Sequence, residues 1–145
     1  MLSLMNKEMI QLNAQVEGWE EAIQLGGDLL FESNCIEARY IDAMINNMIE
    51  NGPYFVLAPG VAMPHASSKD GVKKLSMSLV TLAKPIAFLD TPNNPVELVI
   101  CLAALDDTSH LDLLRNVSEL LSNPEDVRKI ITATKVEEVL QIFNP

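Results

Sequence analysis

The residue best suited to chemistry in this chain is His65, which ends a segment of restricted backbone, APGVAMPH over residues 58–65. Pro59-Gly60 predicts a tight turn, and Pro64 fixes its own φ and favours an extended conformation at Met63. The loop that follows, residues 67–71, is small and polar. We therefore expect an imidazole on a rigid base, open to a partner.

A neutral imidazole is nucleophilic near pH 7. If a carbonyl accepts a hydrogen bond from the Nδ1–H of His65, its Nε2 keeps an outward lone pair for attack. The alternative is that His65 is only a polar group satisfied by its local backbone. The glycine, prolines and small residues around it favour the chemical role.

The second histidine, His110, is predicted to lie in the first turn of a helix. Unpaired N–H groups and the helix dipole favour an anion there. Two such histidines suggest a phosphoryl site, in which His65 takes the group as a phosphoramidate and His110 donates a hydrogen bond to its oxygens. In the alternative interpretation, His110 is simply a polar residue at a helix start.

The elements that must position these residues alternate along the chain. Periodicity and turn residues predict helices at Trp19–Phe31, Ile36–Asn51, His110–Leu121, Pro124–Thr132 and 134–143, and strands at Tyr54–Ala58, Leu75–Leu82 and Val96–Leu105. Residues 1–15 fit a strand or a short helix, whereas Lys84-Pro85 and residues 90–95 are typical of loops. Capping boxes are predicted for Ser109 with Asp112 and for Thr134 with Glu137. The class is therefore α/β or α+β, with one sheet covered by helices.

Composition limits the class of protein. A chain of 145 residues suits one domain, here residues 1–145, and a net charge of −10 argues against a nucleic-acid partner while it suits a basic protein partner. No apolar run reaches the roughly 18 residues of a membrane span, and the start lacks the basic region of a signal peptide. Cys35 and Cys101 are predicted to be reduced structural residues with no zinc pattern, in a cytoplasmic protein.

Together, Gly60-Val61-Ala62-Met63-Pro64-His65, the loop to Gly71-Val72, the strand at Ser78–Leu82, the strand start at Pro95-Val96 and His110-Leu111 resemble a known family. The chain is similar, over about residues 17–143, to the enzyme IIA components of the bacterial sugar phosphotransferase system, in the mannitol/fructose class. Gly52-Pro53-Tyr54 and Ala58-Pro59-Gly60 are similar to the ascorbate branch of that class.

The resemblance implies an α/β fold with a mixed sheet, of about five strands, between helices on both sides. It implies a phosphotransferase in which His65 accepts a phosphoryl group from phospho-HPr and passes it to a cysteine of a cognate enzyme IIB, with His110 supporting the group. The membrane component IIC takes part only indirectly, and neither metal nor other cofactor is needed. The sequence leaves open the transported sugar and whether the chain forms a homodimer.

The chain departs from the family in its cations. Mannitol-type members carry an arginine in the helix before the active strand, but residues 46–51 contain none, and Ser67 stands where several ascorbate-like members have an arginine. We expect backbone N–H groups, Ser67, Ser68 and His110 to support the phosphoryl group instead, and Lys69 to be a solvated loop residue. Two other functions stay open: a regulatory relative whose phosphorylation state controls a partner, and a binding module in which both histidines are structural.

Overall fold

The computed structural model describes residues 4–144 and shows one mixed sheet with five helices. The strands are β1 (Ile10–Ala14), β2 (Val61–Ala62), β3 (Ser76–Ile86) and β4 (Val96–Ala103). The helices are α1 (Trp19–Glu32), α2 (Ala38–Asn51), α3 (Asp107–Leu121), α4 (Pro124–Thr132) and α5 (Val136–Phe143). Among these helices, none has the length and apolar character that crossing a membrane requires.

The sheet has the order β1-β3-β4-β2. The central pair, β3 and β4, is antiparallel, whereas β1 pairs with β3 and β2 pairs with β4 in parallel. Both faces of the central pair are covered, because consecutive residues such as Val99, Ile100 and Cys101 are all fully buried. The expectation of an apolar central strand near residues 96–105 is thereby confirmed.

The expected number of about five strands is wrong, since the described chain has four. Tyr54–Ala58, predicted as a strand, is none: it starts in a turn in which the Val56 N–H donates to the Pro53 carbonyl at 3.1 Å, and Ala58 makes only an isolated bridge to Val61. Its apolar composition reflects burial of Phe55 and Val56 rather than strand pairing. The ambiguous N-terminal segment contains β1 after a short 3-10 turn, Lys7–Met9, while its residues 1–3 lie outside the described range.

Several element boundaries differ from the predicted ones. β3 runs through Lys84-Pro85, predicted as loop, because the pairing of β3 with β4 shifts register between Thr81 and Ile86 and so tolerates a residue without an N–H. α2 begins at Ala38 rather than Ile36, and α3 begins at Asp107 rather than His110.

The two predicted capping boxes are wrong by a few residues. At α3 the cap is Asp106, whose side chain accepts from the Ser109 N–H at 2.7 Å while the Ser109 hydroxyl accepts from the Asp106 N–H. At α5 it is Glu138, not Glu137, that accepts the Lys135 N–H at 3.1 Å. Any short polar side chain close to the first turn can act as the cap, so residue types alone do not fix the residue at which the helix begins.

Both cysteines are buried and free. Burial raises the pKa of the Cys101 thiol to about 12, so this residue is a neutral core side chain at physiological pH. It lies against α1 at Gly26, where the backbone carbonyl also accepts a hydrogen bond from the buried Ser78 hydroxyl at 2.7 Å. The structural role predicted for Cys101 agrees with this environment.

Candidate functional site

The segment leading to His65 is fixed by backbone hydrogen bonds. The predicted turn is present: Gly60 has φ of 79°, and the Val61 N–H donates to the Ala58 carbonyl at 3.0 Å. After β2, the chain continues beside β4, where the Leu102 N–H donates to the Pro64 carbonyl at 2.9 Å. His65 therefore follows an anchored, extended piece of backbone, as the proline pattern predicts.

The imidazole of His65 has a defined tautomer. Its Nδ1 lies 2.8 Å from the Met63 carbonyl oxygen, which can only accept, so Nδ1 carries the proton and Nε2 keeps its lone pair. Burial lowers the pKa of His65, the Met63 hydrogen bond opposes that shift, and nearby His110 lowers the pKa further. His65 is thus held in the neutral, nucleophilic form.

Two side chains of α2 hold the main chain at His65. The Asn47 amide donates from Nδ2 to the His65 carbonyl oxygen at 3.1 Å. The hydroxyl of buried Tyr40 accepts the Ala66 N–H at 3.0 Å and donates to the Leu102 carbonyl at 2.6 Å. This links α2, the segment after β2 and the end of β4, so the position of the imidazole depends on three elements.

His110 stands next to His65. Their ring centroids are 4.6 Å apart at an interplanar angle of 49°, and both residues are partly exposed. The two histidines predicted from sequence therefore do meet. His110 is the fourth residue of α3, and the Asp106 carboxylate already accepts an N–H of the first turn of this helix. Direct contact between the rings, rather than an open helix terminus, defines the arrangement.

A cavity of about 230 Å³ contains both imidazoles. Its lining is mostly polar: Asn47, Tyr54, His65, Ala66, Ser67, Ser68, Ala104, Asp106, Asp107 and His110. Among these described residues there is no arginine or lysine, and two are acidic. An anion bound here has to be held mainly by neutral donors or by charges that a partner supplies. A larger cavity of about 410 Å³, near Pro59 and Arg128, contains neither histidine.

The two predicted serines line the cavity, but they differ in their surroundings. The Ser67 hydroxyl accepts the Lys69 N–H at 3.3 Å, and its backbone N–H donates to Asp70 at 3.1 Å, which together cap the 3-10 turn Ser68–Asp70. Its hydroxyl proton remains able to donate. Ser68 is partly buried, whereas Lys69 is exposed, as expected for a solvated residue, and is not among the lining residues.

The sequence interpretation missed Asn47 and Tyr54. The Tyr54 ring meets the His65 imidazole edge-on, at a centroid distance of 5.7 Å and an angle of 88°. Its hydroxyl accepts a hydrogen bond from Asn47 Nδ2 at 2.7 Å. The only available signal was a tyrosine directly after the Gly52-Pro53 helix stop, which places a polar aromatic side chain shortly before the segment that carries His65.

Comparison with known proteins gives consistent matches over nearly the whole chain. The family model described as "Phosphoenolpyruvate-dependent sugar phosphotransferase system, EIIA 2" matches residues 3–145. The chain is 38% identical over 143 residues to the ascorbate-specific PTS system EIIA component of Escherichia coli K12, covering 98% of this chain and 93% of that protein.

Solved structures give the same result for the fold. The mannitol-specific cryptic phosphotransferase enzyme IIA CmtB of Escherichia coli matches with a TM-score of 0.87 and 36% identity, over 97% of this chain and 96% of that one. A second match is the complex of enzyme IIAMTL and phosphorylated enzyme IIBMTL from Escherichia coli, with a TM-score of 0.85 over 95% of this chain and 95% of that one. Its sequence identity is 23%, so this likeness concerns the fold alone.

Proposed function

Since the chain belongs to the EIIA type-2 family of the phosphoenolpyruvate-dependent sugar phosphotransferase system, we propose that it carries a phosphoryl group on His65. One domain, residues 1–145, accepts the group from phospho-HPr and passes it to a cognate enzyme IIB in the cytoplasm. The single observation that carries this assignment is the His65 tautomer, with Nδ1 bonded to the Met63 carbonyl at 2.8 Å and Nε2 left for attack.

The transfer needs no acid or base on this side of the reaction. The Nε2 lone pair of His65 forms a bond to phosphorus while the bond from phosphorus to the donor breaks, and that electron pair stays with the donor. The proton stays on Nδ1 throughout, in its hydrogen bond to the Met63 carbonyl. Because the imidazole is already neutral and held in place, most of the rate enhancement comes from positioning.

His110 and the two serines support the transferring group in this proposal. In support, the ring centroids of His65 and His110 are 4.6 Å apart, so we expect a His110 N–H to reach the oxygens of a phosphoryl group on Nε2. Ser67 and Ser68 line the same cavity, and we expect their hydroxyl groups to donate to the same oxygens. The acidic cavity and the net charge of −10 suit a donor protein that presents basic residues.

The ascorbate branch is the proposed specificity. Its support is the 38% identity to the ascorbate-specific component over 143 residues. The mannitol-specific relative is nearly as similar, at 36% identity, so the acceptor enzyme IIB is the discriminating reagent. We expect the phosphorylated chain to transfer faster to the ascorbate-specific enzyme IIB than to a mannitol-specific one, and the reverse order would contradict the branch assignment.

The main test is phosphorylation in a reconstituted system. The chain is incubated with labelled phosphoenolpyruvate, enzyme I and HPr, and the product is examined for an acid-labile, base-stable phosphate. His65→Ala should abolish the label, whereas Asn46→Ala, an exposed neighbour on α2, should take it up like wild type. Label that persists in His65→Ala would reject the site.

A second step separates the carrier from a regulatory relative. Purified phosphorylated chain is mixed with enzyme IIB, and the loss of label from one protein and its gain by the other are followed. If the chain is a carrier, its phosphoryl group should reach enzyme IIB at least as fast as HPr labels the chain. A chain that is labelled but gives nothing to any enzyme IIB would favour the regulatory function.

A further inference from the structure

The hydroxyl of Tyr54 has a hydrogen-bonding pattern that leaves its proton unassigned. Asn47 Oδ1 accepts from the Asn51 amide at 2.6 Å, and Asn47 Nδ2 faces the His65 carbonyl at 3.1 Å. The carbonyl can only accept, so this nitrogen is correctly placed and the His65 carbonyl fixes the orientation of the Asn47 amide. Nδ2 then uses its second proton towards the Tyr54 oxygen at 2.7 Å.

It follows that Tyr54 is an acceptor in this contact. Within residues 4–144 its hydroxyl makes no other side-chain hydrogen bond, so its own proton is free to point elsewhere. Tyr54 lines the same cavity as the two histidines, and its ring is edge-on to His65. Partial burial raises the pKa of Tyr54, which keeps the phenol protonated at neutral pH.

The lining of the cavity leaves a bound phosphoryl group in need of neutral hydrogen-bond donors such as this hydroxyl. A phosphoryl group on His65 brings negative charge into a site whose described lining contains Asp106 and Asp107 but neither arginine nor lysine. Neutral donors can hydrogen-bond the charged phosphoryl oxygens, but without the positive charge and the bidentate geometry of an arginine. A hydroxyl that lines this cavity and has a proton to donate is therefore suited to bind the group.

We propose that the Tyr54 hydroxyl donates its hydrogen bond to the phosphoryl group carried by His65, and that Asn47 orients that hydroxyl. Tyr54 is therefore a catalytic residue, since it touches the transferring group, whereas Asn47 is a positioning residue. No covalent step takes place at Tyr54, and its proton stays on the phenol oxygen. The assignment rests on the proposed function, because it needs a phosphoryl group on His65.

The decisive variant is Tyr54→Phe, which keeps the ring against His65 and removes only the hydroxyl. The rate of labelling from phospho-HPr should fall by about 10-fold to about 100-fold, the loss expected for one hydrogen bond to a charged group. The ³¹P resonance of the phosphorylated variant should also differ from that of phosphorylated wild type. Asn46→Ala, from the same helix, is the matched control and should match wild type in both.

Titration of Tyr54 tests whether the phenol lies close to the phosphoryl group on His65. Phosphorylation of His65 should raise the phenol pKa of wild type, because the phosphoryl charge and the donated hydrogen bond both oppose phenolate formation. Asn47→Ala should also raise this pKa in the unphosphorylated protein, since the Asn47 amide favours the phenolate. The first rise is evidence that the phenol lies beside the phosphoryl group, and the second that the Asn47 amide acts on its hydroxyl; the rate of Tyr54→Phe tests the donated hydrogen bond.

The failures of the two proposals are distinguishable. If wild type takes no label, the proposed function is wrong and the Tyr54 assignment falls with it. If wild type is labelled on His65 and Tyr54→Phe is labelled equally fast, with an unchanged ³¹P resonance, only the Tyr54 assignment is overturned. A Tyr54 pKa that does not respond to phosphorylation would overturn it as well.

Discussion

Replacing Tyr40 by phenylalanine tests whether the hydrogen bonds of its hydroxyl both stabilise the fold and hold the backbone next to His65 in place. Tyr40 is fully buried, and its hydroxyl joins the Ala66 N–H at 3.0 Å to the Leu102 carbonyl at 2.6 Å. Burial raises the pKa of this phenol, so the group is a neutral donor and acceptor at physiological pH. Tyr40→Phe keeps the ring and removes both of these hydrogen bonds, together with the longer contact of the hydroxyl to the Ala66 carbonyl at 3.4 Å.

The cost follows from the two groups that lose their partner. Leaving one buried backbone group unsatisfied costs about 1–3 kcal/mol. Leu102 is fully buried, and Ala66 is only partly buried, so water can replace part of the second bond. We therefore expect a loss of about 2–4 kcal/mol in the free energy of unfolding, a large share of the roughly 5–15 kcal/mol typical of a domain.

The assay is urea unfolding of wild type, Tyr40→Phe and Tyr54→Phe. Tyr54 is 46% exposed, so its variant is the matched control and should lose less than about 1 kcal/mol. The slope of the unfolding free energy against urea concentration should stay the same, because the surface exposed on unfolding is unchanged. Tyr40→Phe should also slow labelling of His65, since Ala66 is the next residue. A loss below about 0.5 kcal/mol would refute the reasoning.

Three further outcomes are expected. Labelling of wild type should stay constant as pH falls to about 6.5 and decline only below it, because the pKa of His65 is lowered and the neutral form persists. The stability that depends on neutral His65 is likewise complete above about pH 6.5 and is lost as pH falls through the pKa of His65 in the folded state. A decline in labelling centred at or above about pH 6.5 would contradict the lowering of this pKa by burial. His110→Ala should raise the pKa of His65, measured by NMR titration, and slow transfer without unfolding the domain; normal transfer would remove the supporting role of His110. Gly26→Ala should destabilise by about 1–3 kcal/mol in urea unfolding, because a Cβ there would lie 2.6 Å from Cys101 Sγ, and adding Cys101→Ala should cost less than the two single losses combined; strict additivity would show that the contact relaxes freely.

The sequence alone determined the features that depend on neighbouring residues. Pro59 and Pro64 restrict the backbone on either side of β2, and Gly60 allows the positive φ of the turn before it, so the rigid approach to His65 was predictable. The hydrogen bond from His65 Nδ1 goes to the carbonyl of Met63, only two residues earlier, so a local backbone acceptor fixes the tautomer as predicted. Helices α1 and α2 and the apolar strand β4 were also predictable, because burial imposes a periodicity that residue types reveal.

Tertiary structure decided what depends on distant parts of the chain. Tyr40 meets Leu102 across 62 residues and Asn47 meets His65 across 18, and no local pattern marks either pair. The apolar stretch at Tyr54–Ala58 could be a strand or a buried turn, and only packing selected the turn that brings Tyr54 to the site. Side-chain hydrogen bonds form between surfaces that folding brings together, so the donors around a phosphoryl group on His65 become visible only in the folded chain.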